Sequence, residues 1–132
     1  MGPGDSIGVG LLGLLCGAKE YYALDNINYT DLEDNINILD DLSEMLKKLE
    51  IIPNEKEFPE VCPRITNYDF SKDFIQEFNI LNNIDKRKNE LSNIISKENK
   101  SQNSFSSVQY FAPWDNHDLI KRESVDLIFS QA

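Results

Sequence analysis

The front of the chain reads Gly2-Pro3-Gly4-Asp5-Ser6, with an unbroken apolar stretch, residues 7–16, directly behind it. Glycine at positions 2 and 4 lets the backbone turn sharply and lets a ligand come close where a side chain would stand. A helix that starts after such a turn aims its first amide N–H groups at that ligand. Asp25 closes the next apolar segment, residues 21–24. A carboxylate at the end of a strand on the same sheet edge can accept hydrogen bonds from both hydroxyls of a ribose. The two features together read as a nucleoside-binding corner. The dinucleotide fingerprint G-x-G-x-x-G requires glycine at position 7, where this chain has Ile7 with the third glycine displaced to Gly8. That spacing disfavours NAD.

These residues need elements to hold them. Residues 7–16 are apolar on every side, which suits a helix buried on more than one face. Asp5 or Ser6 can cap its start, and Gly17 stands where a helix-terminating glycine belongs. Residues 21–24 read as a buried strand. Thr30 and Glu33 form a capping box at the head of an amphipathic helix carrying Leu32, Ile36, Leu39, Leu46 and Leu49, which ends near Pro53. Residues 53–63 hold three prolines and read as loop. Residues 71–98 carry Phe74, Phe78, Leu81, Ile84, Lys88, Leu91 and Ile95, the pattern of one broken helix or two. Residues 99–107 are polar and flexible in composition. Residues 108–112 and 125–129 read as two further strands. Short apolar strands alternating with helices imply an α/β fold with a parallel sheet, elaborated by a long helical insert.

The chain has 132 residues, the size of one domain, and a net charge of −10. That acidity argues against a broad contact with a nucleic-acid backbone. Cys16 and Cys62 are isolated, and His117 is the single histidine. A zinc site of ordinary ligands is therefore not expected, and the cysteines suit a reduced cytoplasm. The apolar run of about ten residues falls short of the ~20 needed to span a membrane. No Lys or Arg precedes it, so it lacks the basic flank of an export signal. Cys16 reads as a core residue, His117 as a loop residue, and the acidic residues of 31–44 as a solvated helix face.

The segments GPGDS, ALD ending at Asp25, Pro113-Trp114-Asp115 and SVDLIFSQA, in this order, resemble class I S-adenosylmethionine-dependent methyltransferases. The resemblance implies a partial Rossmann-like methyltransferase domain over residues 1–132, with a helical insertion at about 53–105 before the third strand of that fold. It implies S-adenosyl-L-methionine as cofactor, with Gly2 and Gly4 bordering its methionine part and Asp5 and Ser6 beside it at the helix start. Asp25 would hold the ribose hydroxyls and Asn26 would lie next to the adenine. Trp114 and Asp115 would flank the adenine, and Ser130 and Gln131 would lie near the reacting methyl group. The acceptor would be a small molecule, saccharide-type compounds included, with no nucleic-acid or membrane partner.

The family often has a glycine where this chain has Ser6. It also has a strand before the glycine loop, and a helix and three more strands after the segment matching 125–132. The expectation is thus a chain clipped at both ends and inactive by itself. Two other readings stay open: part of an NAD(P)-binding Rossmann oxidoreductase, or a non-catalytic remnant or helical interaction module built around residues 30–98.

Overall fold

The computed structural model describes residues 2–48, 75, 78–96, 107–116 and 118–130. Among them the chain is mixed α/β. Three helices, α1 (Gly8–Leu15), α2 (Leu32–Lys48) and α3 (Ile80–Ser96), accompany a two-stranded parallel sheet of β1 (Glu20–Leu24) and β2 (Ser107–Phe111). The expected loop at 53–63, the polar stretch 99–106, Cys62, His117 and Gln131 lie outside the described residues.

The central helix α1 forms where the apolar run predicts it and ends at the expected glycine. Gly17 has φ +111°, a conformation only glycine adopts without strain. The Ala18 N–H reaches the Gly13 carbonyl at 2.9 Å and the Gly17 N–H reaches Leu14 at 3.1 Å. This is the double bond of a Schellman ending. Another of the end carbonyls is met from far along the chain: Arg87 Nη1 donates to the Leu15 carbonyl at 2.8 Å. A cation there also suits the negative end of the helix dipole.

The core is built around α1. Leu11, Leu14 and Leu15 are buried with Ala23 of β1, Leu39 and Leu46 of α2, and Ile84, Leu91 and Ile95 of α3. The buried positions of α3 recur at helical spacing, as the sequence predicts. Before it, Asn79 has φ +50°, so α3 starts at a break in the helical path, with the helical, buried Ile75 on the far side of that break. Lys47 pairs with Asp85 and Lys88 with Asp40, each at 2.8 Å. These contacts run α2 and α3 antiparallel, although such half-exposed pairs contribute little stability.

In the sheet, Glu20 stands opposite Ser107 and Leu24 opposite Phe111. Tyr21, Val108 and Tyr110 pack from one face onto the helices. On the alternate positions, Tyr22 and Phe111 stack their rings 6.4 Å apart.

Two local expectations are corrected. The cap of α2 is Asp31, whose Oδ1 accepts from the Asp34 N–H at 3.0 Å, one residue later than the Thr30–Glu33 box. The Thr30 hydroxyl instead accepts from Asn35 Nδ2 at 3.0 Å. Residues 125–129 form no strand: Leu127 is 77% exposed and Ile128 85%. A strand needs a ladder partner as well as β-branched residues, and among the described residues β1 pairs only with β2. Among the described residues, Phe129 stacks on Tyr21 with ring centroids 6.3 Å apart.

Gly10 shows how closely α1 lies on β1. A Cβ there would collide with the Tyr21 ring, whereas a Cβ at Gly13 would meet nothing nearer than Ala18 at 4.0 Å. Alanine is favoured over glycine in a helix by about 1 kcal/mol, while overpacking a core costs about 1–3 kcal/mol. Gly13→Ala is therefore expected to raise the urea midpoint of unfolding and Gly10→Ala to lower it. Equal shifts in the two variants would refute the close contact.

Candidate functional site

The opening loop is fixed at the carboxyl end of β1. Gly2 lies so close that a Cβ would collide with the Asp25 carboxyl group and the Leu24 carbonyl. Gly4 has φ +71°, and a Cβ on it would point into open space. The two glycines thus act differently: Gly2 permits contact with the strand end, and Gly4 permits the turn. The Gly4 N–H donates to Asp25 Oδ2 at 3.1 Å.

Asp25 itself is 8% exposed. Its Oδ1 accepts from the Asn26 N–H at 2.6 Å, and Oδ2 also faces the Tyr110 hydroxyl at 3.3 Å. The Asn26 N–H is the main influence holding this carboxyl below the usual Asp range. Burial opposes it, and the N–H groups of Gly4 and Ile27 and the Tyr110 hydroxyl act with it. A carboxylate has about four lone-pair directions; the Gly4 N–H and the Tyr110 hydroxyl meet both of those on Oδ2, and the Asn26 N–H meets one on Oδ1.

The far side of the corner comes from β2. The ladder continues past the strands, with the Asp25 N–H on the Phe111 carbonyl at 2.9 Å and the Trp114 N–H on the Asp25 carbonyl at 3.1 Å. Trp114 thereby stands at the same sheet end as Asp25 with its side chain 48% exposed. Burial pushes the Tyr110 phenol up, with the Tyr29 N–H working against it and the Asp25 charge adding to it.

Behind the loop, buried Asn35 ties residues 5–7 to α2. Its Oδ1 accepts from the Ile7 N–H at 2.9 Å, and its Nδ2 donates to the Asp31 carbonyl at 2.6 Å and the Asp5 carbonyl at 3.4 Å. Ser6 Oγ accepts from the Gly8 N–H at 3.1 Å. Neither of the two expected caps holds the N-cap position of α1, which is Ile7 without a side-chain cap bond: Ser6 stands one residue before it, and Asp5 is exposed. Asp5 and Ser6 share an open groove of about 290 Å³ with Asp34, Asn37, Ile38 and Asp41.

The structure thus brings together Gly2, Gly4, Asp25, Asn26 and Trp114, with Asp5 and Ser6 on the adjoining side. Asp115 and Ser130 are exposed and no hydrogen bond ties either to the corner. The sequence reading missed Tyr110, Asn35 and Gly10. The signal for Gly10 is a glycine inside an otherwise apolar helix facing a tyrosine-rich strand. Tyr110 at the corner, and Asn35 where it holds the loop at Ile7 and Asp5, act through partners more than 25 residues away, which no local pattern displays. Burial raises the Cys16 thiol, and the nearby Arg87 partly offsets that.

Comparison with known proteins finds no match: no protein-family model, no curated protein and no solved structure matches the chain.

The depressed Asp25 carboxyl has a consequence for acid stability. Above the ordinary value of 3.8 it is ionised in both folded and unfolded chains, and its contribution is complete. As pH falls below that value, the unfolded chain takes up the proton first, and the contribution is lost by the time the folded group is protonated. Asp25→Asn removes this dependence. The difference in urea midpoint between wild type and Asp25→Asn should shrink steadily as pH falls through the range below 3.8. A constant difference across that range would mean that Asp25 has no preferential donors in the fold.

Proposed function

We propose that the chain carries the cofactor-binding corner of a Rossmann-like, S-adenosylmethionine-dependent methyltransferase, a cytoplasmic enzyme acting on a small-molecule acceptor. The single observation behind this reading is the hydrogen bond from the Gly4 N–H to Asp25 across 21 positions of sequence. It joins a glycine loop, the start of a helix and the acid at the end of a parallel strand, the arrangement that nucleoside cofactors occupy in open α/β sheets.

The residues present fit such a group. Open space faces Gly4, the Asp25 carboxylate offers acceptors suited to ribose hydroxyls, and the half-exposed Trp114 offers an aromatic surface for a base. The groove beside Asp5, with Asp34 and Asp41, suits the cationic methionine end of the cofactor. When bound, S-adenosylmethionine supplies an electrophilic methyl group to an oxygen, nitrogen or carbon nucleophile of the acceptor. The task left to the protein is chiefly to hold the two reactants in line. Gly2 and Gly4 shape the loop, Asp25 orients the ribose, and Asn35 keeps the loop on α2.

Titration of the isotope-labelled chain, followed by NMR, tests this. S-adenosylmethionine is expected to shift the amides of Gly4, Asp25, Asn26 and Trp114, and NAD is not. Gly4→Val, which forces a branched residue into a left-handed turn and into the open space, is expected to abolish those shifts while leaving helical circular dichroism intact. Shifts with NAD alone would favour a dinucleotide oxidoreductase. No shift with either compound would remove the corner from nucleotide binding.

A further inference from the structure

The Tyr110 hydroxyl sits among more acceptors than it can serve. The Gly4 carbonyl, Asp25 Oδ2 and the Ile27 carbonyl each lie 3.3 Å from it. A phenol has one proton to give. A hydroxyl committed to a carboxylate approaches to about 2.5–2.7 Å, so 3.3 Å marks an uncommitted donor. The oxygen itself is well anchored. Its residue is paired with Ala23 in the sheet. The proton can therefore turn from Asp25 to either carbonyl without movement of the ring.

The other donors to Asp25 are different. The N–H groups of Gly4 and Asn26 belong to the main chain and cannot leave without undoing the corner. Of the two donors that fill Oδ2, the Gly4 N–H and the Tyr110 hydroxyl, Tyr110 alone holds an exchangeable place.

We infer that the Tyr110 hydroxyl is a placeholder, occupying on Asp25 Oδ2 the position that a ligand hydroxyl takes and turning its proton to the Gly4 or Ile27 carbonyl when the ligand binds. This rests on the reading of the corner as a nucleoside site, and it makes Tyr110 a positioning residue. The exchange keeps the buried carboxylate supplied with donors in both states. It moves one proton between acceptors, with no bond formed or broken in the ligand. It also means that a ligand hydroxyl competes with the protein's own hydroxyl, so removing the latter favours the ligand.

The test compares wild type with Tyr110→Phe, which keeps the ring and its packing. Each is titrated with adenosine and with 2′,3′-dideoxyadenosine, and binding is read from amide shifts by NMR. Wild type is expected to prefer adenosine. Tyr110→Phe is expected to bind adenosine about threefold to tenfold more tightly, the scale of one neutral hydrogen bond, with its affinity for dideoxyadenosine unchanged. A loosened loop would instead change both affinities by the same factor, and that result overturns the placeholder. So does an unchanged preference in the variant. If wild type binds both nucleosides alike, or neither, the ribose reading itself falls and the placeholder with it.

Discussion

No side chain fits between the opening loop and the end of β1. Gly2 touches the Asp25 carboxyl group and the Leu24 carbonyl so closely that any Cβ would overlap them, and the next glycine donates its N–H to the same carboxylate. Much else in the structure follows from that contact. It fixes where the chain enters α1, and it brings the start of that helix to the carboxyl edge of a parallel sheet. It also buries an acid that must then be given donors, since an unpartnered buried carboxylate is costly. Asn26 and Tyr110 supply further donors, and in doing so they bind the loop after β1 and the middle of β2 to the same point.

The helix that leaves this corner is the hub of the core. It is apolar around most of its circumference because the sheet, α2 and α3 all pack on it. Its two ends are held by residues from the other helices, Asn35 of α2 at the start and Arg87 of α3 at the finish. The site and the core are therefore not separable. A change that loosens α1 on Tyr21 would also shift the loop that Asp25 holds.

Features that depend on neighbouring residues were legible in the sequence. Gly4 and Gly17 occupy left-handed turns, α1 spans the apolar run, and Asp25 ends β1. Features that depend on distant partners were not. Thr30 and Glu33 spell a capping box, yet Asp31 caps the helix and Thr30 accepts from Asn35, whose place is set by Ile7 far back in the chain. Residues 125–129 have the composition of a strand but lie exposed without a ladder partner, because pairing is a property of the sheet and not of the segment. Tyr110 is an ordinary strand residue by pattern. Its part in the corner comes from the parallel register that sets it beside Ala23, two residues before Asp25.

Amide hydrogen exchange at Gly4 tests the anchoring of the loop most directly. The account predicts a protected Gly4 amide in the wild-type chain, and loss of that protection in Asp25→Ala, with the amides of Leu11 and Leu15 still slow to exchange because the core remains folded. A Gly4 amide that exchanges at the rate of an unstructured chain in wild type, or that stays equally protected without the carboxylate, would contradict it.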